Sequence, residues 1–149
     1  MPEYLSRTRP SSPSRSSTLA TTSLNAATSA NLDADPEPEI VLAVNSKGKV
    51  AGATLGNDVN MRDFEGRSAL LLGKAKDNNA SCAIGPFIRL FDDKFSLDDV
   101  RQAHISLTVE GPEGFRLEGN SSMKYISRDP LELVQHCSGN HHQYPDGLM

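Results

Sequence analysis

The chain has 149 residues, 37% hydrophobic and 23% charged, which bounds it to one modest domain with a core of limited size. Nineteen acids against fifteen lysines and arginines give a formal net charge of −4, which argues against a general nucleic-acid surface because phosphate binding rests on concentrated basic residues. The sequence has no apolar run long enough to span a bilayer and no secretory h-region, so neither a membrane nor a nucleic acid is an expected partner.

Residues 1–33 are rich in Ser, Thr, Ala, Arg and Pro and nearly free of large apolar side chains. Such a stretch cannot bury enough surface to offset the cost of ordering its backbone, and a disordered tail is expected there. Arg7, Arg9 and Arg15 make a local basic patch of the kind found in organelle transit peptides, but no apolar stripe accompanies it. The fold is therefore expected over 34–149.

Ile40 to Val44 is a short apolar run with β-branched residues, followed by the turn sequence Asn45-Ser46-Lys47-Gly48. Val50 to Leu55 resumes as a second strand, and the hairpin so formed returns the chain and can bring Asp58 beside Glu37 and Glu39. Those two glutamates are two apart, so in an extended backbone they present carboxylates to one face. Pro38 between them removes a ladder donor and suits an edge or a strand start.

Arg62 to Gly66 is expected as a helical turn and Ser68 to Leu72 as a short apolar segment before a loop over Gly73 to Ser81, which carries Lys74 and Lys76. Cys82 to Phe91 reads as a buried strand broken at Gly85-Pro86. Ser96-Leu97-Asp98-Asp99 is a capping sequence for a short helix through Gln102. Ile105, Leu107 and Val109 alternate with polar residues along a half-buried strand, His104 to Glu110, which Gly111-Pro112-Glu113-Gly114 turns back into Phe115 to Glu118. Asp129, Pro130 and Glu132 supply an N-cap, a first-turn proline and a capping-box acid for a helix from Asp129 to His136. Several strands with few short helices indicate a β-rich α+β fold.

Three acids gathered in one place repel one another unless a cation neutralises them, and an all-oxygen set suits Mg²⁺, Mn²⁺ or Ca²⁺ rather than zinc. The alternative for Glu37, Glu39 and Asp58 is three solvated acids at strand ends. His136-Cys137-Ser138-Gly139-Asn140-His141-His142 groups potential zinc ligands, but not with the spacing of a common structural site. Cys82 and Cys137, well separated and without a signal peptide, are expected to be reduced thiols in a cytoplasmic protein.

The blocks Pro36-Glu37-Pro38-Glu39-Ile40-Val41-Leu42-Ala43-Val44, Gly56-Asn57-Asp58-Val59-Asn60-Met61-Arg62-Asp63 and Ala75-Lys76-Asp77, leading into Gly85-Pro86, resemble the fumarylacetoacetate hydrolase superfamily. With Phe64-Glu65-Gly66 they look most like its 2-keto-3-deoxy-sugar-acid dehydratases, over roughly Pro36 to Met149. The resemblance implies a mixed-sheet β roll of the fumarylacetoacetase C-terminal type and a homo-oligomer. It implies Glu37, Glu39 and Asp58 as ligands of Mg²⁺, with Mn²⁺ or Ca²⁺ as alternatives, and Lys76 as a catalytic and substrate-binding lysine that stabilises the enolate or the carboxylate or exchanges a proton. Arg62 matches an arginine that approaches the substrate carboxylate; its alternative is a salt bridge to Asp63 or Glu65.

In the chemistry so implied, the ion polarises a 2-keto acid, a proton leaves C3, and loss of the C4 hydroxyl completes dehydration of a sugar acid to a 2-oxo acid semialdehyde. Hydrolysis of a carbon–carbon bond in an acylpyruvate or diketo acid starts from the same chemistry and stays open, as does a non-catalytic remnant retained as an oligomerisation surface. Measured against the resemblance, the chain is expected to be truncated at both ends, with low-complexity sequence before the Glu37 block and a stop at Met149 where relatives continue to a Gly-Thr pair.

Overall fold

The computed structural model describes residues 34–79 and 82–149, so the tail expected over 1–33 lies outside the described residues. The first strand, β1 (Ala34–Asp35), pairs with β4 (Asn60–Met61), and between them β2 (Pro38–Val44) and β3 (Val50–Asp58) form the hairpin expected from the sequence. Asn45 sets the turn, its side-chain oxygen accepting the N–H groups of Lys47 and Lys49 at 3.0 Å each. Gly48 closes it at φ 73°, a left-handed conformation that glycine adopts without a Cβ clash.

The β2–β3 register runs from Pro38 opposite Asn57 to Ala43 opposite Gly52, with an irregularity between Ala43 and Val44. The second strand continues beyond the expected Leu55 to Asp58 because its far end is paired on its other side: β5 (Cys82–Ile84) lies against Gly56–Asp58, and β6 (Arg89–Leu90) against Gly52 and Ala53. All strand pairings among the described residues are antiparallel.

The segment Cys82 to Phe91 departs from the buried strand expected of it. It forms the two short strands β5 and β6, and Phe87, Ile88 and Leu90 are exposed. Pro86 lacks the N–H needed to carry pairing through, and apolar content alone does not say whether a neighbour covers the run. The expected loop from Gly73 is also shorter than anticipated. After α1 (Arg62–Glu65), the Ser68 hydroxyl accepts the N–H of Leu70 at 3.2 Å and opens a 3-10 turn over Ala69–Leu71, which passes into α2 (Leu72–Ala75). Ala75 is fully buried, so a small apolar side chain anchors this turn and Lys76 directly follows it.

Helix α3 (Leu97–Arg101) starts as the capping sequence requires, with the Ser96 N–H donating to Asp99 Oδ2 at 2.8 Å. The second hairpin is β7 (His104–Glu110) and β8 (Arg116–Ser122). Its return strand runs four residues past Glu118, because Gly119–Ser122 pair with His104–Leu107 although their polar composition suggests a loop. Helix α4 (Pro130–Cys137) is capped by Asp129, whose carboxylate accepts the Leu131 N–H at 2.9 Å; Glu132 pairs with Arg128 at 3.1 Å rather than completing a capping box.

The core is built where the first hairpin meets these helices. Ala53, Phe95 and Val100 are buried together, packed by Ile40, Leu42, Phe91 and Leu97. A second cluster joins Val44 and Val50 to Val134 of α4, with Leu42, Phe91 and Leu148 against it. Arg101 of α3 clasps Asp129 at the start of α4, Nε to Oδ2, at 2.7 Å. No helix among the described residues is long and apolar enough to cross a membrane. The architecture is α+β, and its consequence for function is a β2–β3 end where three acids gather: Glu39 in β2, Asp58 in β3 and Glu37 just before β2.

Candidate metal centre

The acids meet because of strand register. Pro38 lies opposite Asn57, so Glu37 and Asp58 come next as a facing pair, and the Asp58 N–H donates to the Glu37 carbonyl at 3.1 Å. Directly opposed residues share a sheet face, and Glu39 is two residues along on that same face. One carboxylate oxygen from each of Glu37, Glu39 and Asp58 lies within 4.8 Å of the others. Pro38 interrupts nothing. It occupies a non-hydrogen-bonded position of the ladder, so its missing donor falls on the outer side of β2, which is the edge of its sheet among the described residues.

Lys76 reaches into this cluster from the end of α2. Its Nζ is 2.6 Å from Glu37 Oε2 and 2.9 Å from Asp58 Oδ2, with all three side chains about a third exposed. The following loop is fastened to the same strand end by Asn78, whose side-chain amide donates to the Val59 carbonyl at 3.2 Å. Lys74 instead pairs with Asp77 at 2.7 Å, so of the two lysines in this stretch Lys76 is the one in the cluster.

The charges respond to one another. Loss of water around the Lys76 ammonium works to lower its pKa, but the hydrogen bonds it donates to Glu37 and Asp58 together outweigh that and hold it above the ordinary lysine value. Lys76 is thus a cation and a donor at neutral pH. Glu39 is the acid most open to solvent, yet protein atoms crowd its carboxylate; that desolvation, followed by repulsion from Asp58, raises its pKa, with Lys76 opposing and Glu37 adding to the rise. A cation placed among the three acids would relieve this penalty.

An all-oxygen donor set of this size fits a hard dication. Oxygens on opposite sides of one ion are about 4.2 Å apart for Mg²⁺ and about 4.8 Å for Ca²⁺, so the observed spacing asks for only small side-chain adjustment. Among the described residues this trio is the one group of three or more His, Cys, Asp or Glu side chains close enough to share an ion; His136, Cys137, His141 and His142 do not assemble one.

Arg62 stands in α1 with its guanidinium 3.2 Å from Glu65, the ion pair that sequence offered as the alternative to a substrate contact. Asn57, which ties Glu37 to the strand, was not singled out by sequence reasoning. The available signal was the placement of a polar amide next to Asp58 in an otherwise apolar strand.

No protein-family model matches the chain. It is 30% identical over 111 residues to a probable 2-keto-3-deoxyxylonate dehydratase of Haloferax volcanii, an alignment covering 74% of this chain and 37% of the relative. Over 117 residues it is 31% identical to a 2-dehydro-3-deoxy-D-arabinonate dehydratase of Saccharolobus solfataricus, covering 76% and 37%. It superposes with a TM-score of 0.68 and 29% identity on a solved 2-keto-3-deoxy-D-arabinonate dehydratase complexed with magnesium and 2,5-dioxopentanoate, over 76% of this chain and 39% of that one. The chain therefore spans less than half the length of the relatives it matches.

Proposed function

We propose, from the premise that this chain belongs to the fumarylacetoacetate hydrolase-type family of 2-keto-3-deoxy-pentonate dehydratases, that Glu37, Glu39 and Asp58 hold a divalent cation in a lyase that dehydrates a 2-keto-3-deoxy sugar acid to a 2-oxo acid semialdehyde. Mg²⁺ is the ion favoured, since a related structure contains it. When bound, it would supply Lewis-acid polarisation of the 2-keto acid end of the substrate. In this reading residues 34–149 form part of the catalytic domain.

The chain's own residues have distinct tasks. The three carboxylates would hold the ion: with the Lys76 ammonium they carry a net negative charge that repels an anionic substrate, and a dication would bring the set to neutrality. Lys76 donates a hydrogen bond to an oxygen that gains negative charge as the reaction proceeds. Arg62 offers a planar fork to the substrate carboxylate in competition with Glu65. A cytoplasmic setting is supported by the free thiols of Cys82 and Cys137, and a homo-oligomer by the exposed Phe87, Ile88 and Leu90.

The observation that carries the reading is the convergence of three carboxylates and one ammonium from three separate stretches of chain. Calorimetric titration with Mg²⁺ tests it: the intact chain is expected to bind one ion, and Asp58→Ala to lose that heat. Product analysis with Mg²⁺ and either a 2-keto-3-deoxy-pentonate or an acylpyruvate then tests the reaction. Carbon–carbon cleavage without dehydration overturns the lyase assignment, and absence of ion binding overturns the site.

A further inference from the structure

Glu37 precedes the first residue of β2, so the strand ladder does not by itself hold it. Its carbonyl accepts the Asp58 N–H at 3.1 Å, which makes Glu37 and Asp58 the two sides of a hydrogen-bonded rung. The second bond of such a rung ordinarily runs from the N–H of one residue to the carbonyl of the other. Here the Glu37 N–H donates instead to Oδ1 of Asn57, at 2.8 Å. Asn57 is a buried polar residue, only 8% exposed, and a buried amide keeps its orientation through the hydrogen bonds it makes. Its side chain therefore substitutes for the strand at the one point where the strand has ended.

The other members of the cluster do not depend on that side chain. Asp58 belongs to β3, Glu39 sits in the β2 ladder opposite Gly56, and the Lys76 loop is fastened through Asn78 to Val59. Only Glu37 has its backbone set by Asn57, and Glu37 is also the acid closest to the Lys76 ammonium. We propose that Asn57 is a positioning residue that fixes Glu37 among the ligands and against Lys76, an inference resting on the metal-site reading above.

The test uses the full chain and Mg²⁺ alone. Asn57→Leu keeps the side-chain shape and removes the acceptor; Asn57→Asp keeps both. By calorimetry Asn57→Leu is expected to weaken Mg²⁺ binding about tenfold or more, as loss of a ligand's support typically does. Asn57→Asp is expected to bind at least as well as the parent. In a Glu37→Gln background Asn57→Leu is expected to cause no further loss, because its effect runs through Glu37.

The same proteins are read by NMR without metal, where the Lys76 ammonium resonance is expected to move in Asn57→Leu and to stay in Asn57→Asp. Unchanged affinity in Asn57→Leu, or an equal loss in the Glu37→Gln background, overturns the proposal. Should the parent chain bind no Mg²⁺, the metal reading fails, and the Lys76 resonance alone decides for or against Asn57. If Asn57→Leu does not fold, Asn57→Ser, whose hydroxyl is too short to replace the acceptor, gives the same readings.

Discussion

Lys76 lies 39 residues beyond Glu37 in the chain, yet its ammonium is 2.6 Å from the Glu37 carboxylate. With Asp58 at 2.9 Å on the other side, this single cation offsets the repulsion of an acidic cluster in the absence of metal. Replacing it with Met is expected to destabilise the metal-free chain by about 1–2 kcal/mol, between the values for exposed and buried pairs. Saturating Mg²⁺ should recover part of that loss, since a dication takes over the neutralisation. Urea unfolding of Lys76→Met with and without Mg²⁺ measures both; a loss that Mg²⁺ does not reduce would show that the two cations do not share the acids.

Glu39 behaves in the opposite sense. Crowding and the neighbouring acids raise its pKa in the fold, so the folded state binds its proton more tightly than the unfolded state does. Stability attributable to this group is present at low pH and lost as pH rises through the raised value. Glu39→Gln is therefore expected to melt higher than the parent at neutral pH without metal. With Mg²⁺ at about 100 times its Kd the order reverses, because the parent gains roughly 2.7 kcal/mol and the variant less. Paired melting curves at pH 7 supply the check.

The clasp between α3 and α4 sets an acid limit. Hydrogen bonds from the Arg101 guanidinium and then from the Leu131 N–H hold Asp129 below the usual aspartate range, and Asp92 and Asp99 are lowered by backbone N–H groups of Lys94 and Ser96. A depressed carboxylate adds stability above its unfolded pKa and loses it as pH falls through the folded one. The chain is expected to weaken steeply below about pH 4. Asp129→Asn should be less stable at pH 7 and should decline less on acidification, which urea midpoints between about pH 2 and 7 will show.

Gly147 adopts φ 87°, and a Cβ there would press on the Val44 carbonyl oxygen. This turn lets Leu148 exchange two backbone hydrogen bonds with Val44, at 2.9 and 2.8 Å, and pack beside Val50 and Val134. Gly147→Ala is expected to cost about 1–3 kcal/mol and to speed amide exchange at Val44 while leaving Asp58 unaffected. Equal loss of protection at both amides would contradict the locality of the strain.

Much of this protein follows from its residues alone. The Asn45–Gly48 turn between two apolar runs determines a hairpin, and spacing by two determines that Glu37 and Glu39 share a face, because both depend on backbone geometry within a few residues. Capping chemistry at Ser96 and Asp129 likewise locates two helices before any packing is known.

Long-range pairing decided the rest. The extension of β3 to Asp58 needs β5, the polar end of β8 becomes a strand only against β7, and the apolar run around Phe87 is exposed because no described element covers it. That Lys76 and not Lys74 enters the cluster depends on where α2 ends on the buried Ala75, and the support of Glu37 by Asn57 depends on register at the strand's last rung. Local patterns carry no information about which distant backbone will accept a bond, so these features had to come from the tertiary structure.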